Sequence, residues 1–176
     1  MKHLLCLSLL LPLCFSLQAQ QASVGKAVTN VKILSTADKP TTIPSLGEKV
    51  TLLFYTDPDV KDVNDPLSDA VRAKKFASDK FAGIGVANCK DTWIPNSAIL
   101  MKSRQKEKQF PGSVVLLDEN QTIKKAWSLA DCDGKGVVLV VGKDLRIKFI
   151  YYVNSQADSK AIIAQVVKVI HDEIGR

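Results

Sequence analysis

Histidine and cysteine are scarce in this chain of 176 residues, which has two of the first and four of the second. His3 stands at the extreme N-terminus and His171 near the C-terminus, so a His-rich metal site is excluded, and a Ser-His or Cys-His hydrolase has little to build on. Cys6 and Cys14 lie in the N-terminal apolar run, leaving Cys89 and Cys132 for the rest of the chain. Beyond residue 17 no apolar run is long enough to span a bilayer. Internal repeats and low-complexity tracts are also missing. The formal charge of +6 comes with no interleaving of aromatics among the basic clusters at 72–75, 102–108 and 143–148. Nucleic acid is therefore not an expected partner, and solvated faces account for the clusters.

What is present begins with Met1-Lys2-His3, an apolar stretch from Leu4 to Leu17 and a polar exit through Gln18-Ala19-Gln20-Gln21. A positive start, a short apolar core and a small residue at the exit make a secretory signal over residues 1–19, with Ala19 as the cleavage point. The rival, a lipoprotein acylated at Cys14, wants small residues where Pro12-Leu13 stand. Residues 20–176 are then one exported domain with no membrane span.

Val50 to Tyr55 is almost wholly apolar and rich in β-formers, as expected of a strand buried on both faces of a sheet. Asp65-Pro66 opens a helix, Asp65 as its cap and Pro66 in its first turn, with Leu67, Ala70, Val71, Ala77 and Phe81 as an apolar stripe. Gly83 to Ala87 reads as a second strand, parallel to the first through a right-handed crossover. A helix follows from Trp93-Ile94-Pro95-Asn96-Ser97 to about Gln109, stopped by Phe110-Pro111-Gly112. Ser113 to Leu117 is a third strand and Gln121 to Leu129 a short helical stretch. Val137 to Val141 and Arg146 to Val153 form a hairpin around Gly142-Lys143-Asp144. A Ser155-x-x-Asp158 capping box then opens a final helix to Gly175, lined by Ala161, Ile162, Gln165, Val166, Val169 and Ile170.

This order, βαβ followed by ββα, resembles the thioredoxin fold in its redoxin form, an α/β domain with a central mixed sheet and helices on both faces. Phe110 to Asn120 is similar to the strand and turn that redoxins insert, and Ile123-Lys124-Lys125-Ala126-Trp127 to the helix after it. More narrowly, Ile94-Pro95-Asn96-Ser97, Phe110-Pro111, Asp118-x-Asn120, Ala126-Trp127-x-Leu129 and Val137-Val138-Leu139 leading to Lys143-Asp144 resemble the YtfJ-like family of Gram-negative periplasmic proteins. The resemblance implies a fold and the periplasm as the compartment. It brings no catalytic residues and no cofactor.

A thioredoxin works through Cys-x-x-Cys at the start of the helix after its central strand, where the helix N-terminus lowers a thiol pKa. Against the redoxin pattern, Asp59 and Asp62 fall about where those cysteines belong, and Gly134-Lys135-Gly136 stands where a cis-proline is expected. Carboxylates cannot exchange disulfides. Cys89 and Cys132 should lie at one edge of the sheet, flanking the central strand ~10 Å apart. Three readings of the pair stay open: a structural disulfide contributing about 4 kcal/mol in the chain-entropy model, a redox-active or peroxidatic pair, and two unpaired thiols. The acidic run Asp57-x-Asp59-x-x-Asp62-x-Asn64-Asp65 could suit calcium, but Lys61 takes the fifth position and no Gly follows, so helix capping is the better account and no metal is assigned.

Two functions remain. One is a non-catalytic module binding a periplasmic protein or small ligand at the former active edge through Asp57, Asp59, Asp62, Trp93, Asp131 and Lys135. The alternative is an atypical thiol-disulfide oxidoreductase or peroxidase using Cys89 and Cys132.

Overall fold

A computed structural model describes residues 21–176; the expected signal over residues 1–19, its cleavage point and Cys14 lie outside them. Seven strands form one mixed sheet in the order β2-β1-β5-β4-β3-β6-β7. These are β1 (Lys32–Ser35), β2 (Pro40–Thr42), β3 (Val50–Thr56), β4 (Phe81–Asn88), β5 (Val114–Asp118), β6 (Gly136–Val141) and β7 (Ile147–Val153). At the centre β3 pairs parallel with β4, Val50 opposite Phe81, and antiparallel with β6, Thr56 opposite Gly136. Every residue of β6 is buried, which is why neither central strand shows an alternating pattern.

The strands alternate between two cores. Leu52, Val138 and Val140 face Leu67 and Val71 of α1 (Asp65–Ala73), and Ile162, Val166 and Ile170 at the junction of α4 (Gln156–Ala161) and along α5 (Ile163–Ile174). Leu53, Tyr55, Val137 and Leu139 face the other way, against Ile123 and Trp127 of α3 (Thr122–Trp127) and against Ile33, Ile43 and Leu46 from the N-terminal segment. The crossovers β3–α1–β4 and β4–α2–β5, with α2 spanning Asn96–Gln109, step the same way across the sheet. Both being right-handed, their helices share one face. Arg72 of α1 accordingly stacks over the Phe110 ring at the end of α2, 4.3 Å from its centroid.

Several expectations are corrected. Helix α1 stops at Ala73, and Lys75 takes a positive φ of 50°, so Ala77 is not helical and Phe81 opens β4. The cap position of α1 belongs to Asn64, whose side chain makes no capping bond, and Asp65 sits one residue inside the helix. The C-terminal helix breaks at Ile162 into α4 and α5, leaving Ala161 and Gln165 exposed. The Ser155–Asp158 capping box is present with both reciprocal bonds. Strands β1 and β2 were not foreseen; they are short and extend the sheet beyond β5. No helix among the described residues is long and apolar enough to cross a membrane.

Candidate functional site

The edge of interest is where β3, β4 and β5 end. Leaving β3, the chain makes a 3-10 turn, Pro58–Val60, whose cap is Asp57. The Asp57 side chain is fully buried. It accepts the Asp59 N–H at 2.9 Å and, from across the sheet, the Gly134 N–H at 2.7 Å. Its own N–H donates to the Lys135 carbonyl at 3.0 Å. Burial pushes its carboxyl above the usual range, and the two accepted bonds offset only part of that. Asp57 is therefore a fastener between two loops and not a surface ligand.

A second contact reinforces the first. Asn64 donates to Thr56 Oγ1 at 3.0 Å, and its amide lies so close over Gly136 that a Cβ there would stand 2.4 Å from Nδ2. Only glycine admits this approach. The Asn64 Oδ1 is buried without a hydrogen-bond partner. The peptide bonds of the 134–136 segment are trans, as are all those described, and Gly134 supplies its turn with a φ of +62°.

Asp59 and Asp62 both lie exposed on the surface. Asp59 accepts a bond from Thr92 Oγ1 at 3.0 Å, which brings it beside the loop that carries Trp93. Asp62 pairs with its neighbour Lys61. Trp93 is 86% exposed, an unusual state for the largest apolar side chain. Asp131 pairs with Lys135 at 2.9 Å, and that bond draws the Asp131 carboxyl below its usual range. The structure thus joins Asp57 with the Lys135 backbone, Asp59 with the Trp93 loop and Asp131 with Lys135, while Asp62 stands apart.

Cys89 and Cys132 are free thiols, both buried. They follow β4 and precede β6, the strands on either side of β3, whose separation of ~10 Å exceeds the span of a disulfide. The disulfide considered from the sequence is absent. Each sulfur points at the carbonyl two residues earlier, Cys89 at Ala87 (3.5 Å) and Cys132 at Ala130 (3.2 Å). Burial first, then the Glu119 and Asp118 charges, push the Cys89 thiol up to about 12. Burial pushes Cys132 to about 11 against the opposing charge of Lys124. Both sulfurs are protonated at neutral pH, and a protonated thiol is a poor nucleophile. Among the described residues no cluster of His, Cys, Asp and Glu could hold a metal ion.

Between the cysteines lies a polar network that the sequence did not reveal. Tyr55 Oη donates to Asp118 Oδ2 at 3.2 Å, and Asp118 also receives the N–H groups of Thr122 (2.6 Å) and Ile123 (2.9 Å), fastening the start of α3. Burial, then the Asp118 charge, raise the Tyr55 phenol far above its usual value and keep it a donor. Asp91 gathers Asn88 Nδ2 (2.8 Å), Gln121 Nε2 (2.6 Å) and Lys124 Nζ (2.8 Å). Burial works to raise its carboxyl, but the bonds from Lys124 and Asn88 hold it below the usual range. An Asp four residues before the first N–H it must satisfy, as Asp118 stands to Thr122, is the one local signal that could have flagged the network.

Comparison with known proteins agrees with this architecture. A family model described as "Bacterial protein of unknown function (YtfJ_HI0045)" matches residues 49–173. An uncharacterized protein of Haemophilus influenzae is 28% identical over 91 residues, 51% of this chain and 48% of that protein, so the match spans about half of the relative's length. Similar solved structures include a candidate protein disulfide isomerase of Bacteroides thetaiotaomicron (TM-score 0.64, 17% identity, 88% of this chain and 92% of that one). A candidate DsbE-type thiol:disulfide interchange protein of Chlorobium tepidum (0.60, 15%, 85% and 99%) and copper-bound ScoI of Arabidopsis thaliana (0.57, 16%, 84% and 99%) are also similar. Identities this low carry the fold alone, and the fold is thioredoxin-like.

Proposed function

The chain belongs to the bacterial YtfJ_HI0045 family of unknown function, and from that premise we propose that it is an exported, redox-silent thioredoxin-like module that binds a periplasmic partner at the C-terminal edge of its sheet. The observation that carries the reading is the state of the two thiols. A thiol-disulfide enzyme needs a low-pKa sulfur open to its substrate, and Cys89 and Cys132 are buried, unpaired and protonated. Asp59 and Asp62 fall about where the redoxin pattern has its cysteines, and Asp57 clamps the 3-10 turn to the loop opposite. What this edge offers a partner is the exposed Trp93 with Asp59 beside it and the Asp131–Lys135 pair across from it. The single domain over residues 20–176, the signal over 1–19 and the periplasmic location belong to the same reading.

The test has two arms. Native protein at neutral pH should leave both cysteines unmodified by iodoacetamide, label both in denaturant, and neither reduce insulin nor consume peroxide. A photo-crosslinker at position 93 should capture a discrete periplasmic partner equally well in the Cys89→Ser/Cys132→Ser variant. Thiol-dependent turnover that disappears in Cys89→Ser would sink the proposal in favour of the oxidoreductase.

A further inference from the structure

The two ends of the sheet differ in how their charges are paired. At the C-terminal edge just described, Asp59, Asp62, Glu119, Asp131, Asp133 and Asp158 stand among Lys61, Lys90, Lys124, Lys125 and Lys135, and Lys61, Lys124 and Lys135 are paired with Asp62, Asp91 and Asp131. The opposite end, where β3, β4 and β5 begin, collects Lys74 and Lys75 after α1, Lys80 before β4, Lys108 in the last turn of α2 and Lys143 in the β6–β7 turn. All five are exposed, and none has an ion-pair partner among the described residues. The carboxylates at this end are Glu48, Asp79, Glu107, Asp144, Asp172 and Glu173; Glu107 accepts the Val115 N–H at 2.8 Å, Lys148 takes Asp144 (2.7 Å) and Glu173 (3.5 Å), and Asp172 pairs with Lys168 at 2.6 Å. Lysines at a helix C-terminus complement the dipole, which accounts for Lys74, Lys75 and Lys108. It leaves Lys80 and Lys143, both on loops, unexplained.

We propose that this lysine-rich end is a docking surface for a bilayer containing anionic phospholipid, holding the molecule with its Trp93 edge turned away from the membrane. The charge pattern favours a lipid surface over a shaped protein partner. Five flexible, unpaired ammonium groups spread over four chain segments match a diffuse sheet of negative charge. The end has no exposed tryptophan or tyrosine of the kind that anchors a protein interface; those lie elsewhere, at Trp93 and Tyr151. The inference rests on the reading of the chain as exported, where membrane headgroups are the abundant polyanion. The two fail separately: vesicle binding is measured on purified protein, and export is read by a phosphatase fusion to the first 20 residues.

The experiment is co-sedimentation of the protein with phosphatidylcholine vesicles with and without phosphatidylglycerol. Binding is expected only with phosphatidylglycerol, and should be lost at about 0.5 M salt, where the Debye length is a few ångströms. The Lys75→Glu/Lys80→Glu/Lys143→Glu variant should lose binding by at least about tenfold, and Lys→Gln at the same three positions by less. Lys61→Glu/Lys90→Glu/Lys125→Glu changes the net charge equally at the other end and should bind like the wild type. Because Trp127 is buried, Trp93 reports orientation: its emission should not shift on binding, nor be quenched by brominated lipid. Failure to sediment with anionic vesicles, equal losses in the two triple variants, or quenching of Trp93 would each overturn the proposal.

Discussion

Asp57 and Trp93 show how differently residues singled out at one edge behave once folded. Asp57 is a buried carboxylate whose folded pKa is raised, so its ionisation opposes folding. The native state holds the proton more tightly than the unfolded chain, and stability falls as pH rises from the unfolded value through the folded one. Asp57→Asn lacks that titration. Urea denaturation at about pH 4 and about pH 8 should find the stability difference between variant and wild type moving in favour of the variant at the higher pH. Trp93 touches little, and Trp93→Ala should change stability by no more than ~0.5 kcal/mol. Trp127 is buried and its indole N–H donates to the Thr29 carbonyl at 2.9 Å. Its replacement by Ala should cost about 3–5 kcal/mol, read as a lowered denaturation midpoint.

At the scale of elements, the interlock of Asn64 over Gly136 joins the entry to α1 with the start of β6. Gly136→Ala should destabilise by ~1–3 kcal/mol because the methyl has no room. Asn64→Ala in the same chain should recover part of the loss, a coupling that a double-mutant cycle measures directly. Their contact is not legible in the sequence, for the clash that requires glycine arises only when β6 pairs with β3. The elements themselves were more legible. Strand β3 and the Ser155–Asp158 box follow from local chemistry alone, and both form as expected. The stripe through Ala77 and Phe81 misled because helical spacing persists by chance past Ala73. Strands β1 and β2 carry four and three residues and gain their place from the pairing of β1 with β5, so no local pattern announces them. Of the site, the position of both cysteines at one edge was legible from strand order, but their burial and the Asp91 and Asp118 networks were not. Those depend on which loops fold over the strand ends.

For the whole molecule, the sheet order places β3 and β6 between neighbours on both sides and apolar layers on both faces. Their amides can exchange only through global unfolding, whereas short β1 and β2 can open locally. Hydrogen exchange should therefore be slowest in Leu52–Tyr55 and Val137–Val140, with protection equal to the global stability, and distinctly faster in Pro40–Thr42. A uniform protection pattern would contradict the layered core.

The free state of Cys89 and Cys132 has a kinetic consequence. A chain that enters an oxidising space unfolded exposes two thiols that its native state keeps apart and covered. Until β4 and β6 have both docked on β3, nothing prevents the sulfurs from joining, and that bond would span strands the native sheet separates. Under the proposed export, maturation is then a race between sheet assembly and oxidation. The winner is decided once, because the finished fold shields the same sulfurs that its own assembly leaves open. Slow folding would be recorded covalently, as a fraction of molecules rescued only by reduction.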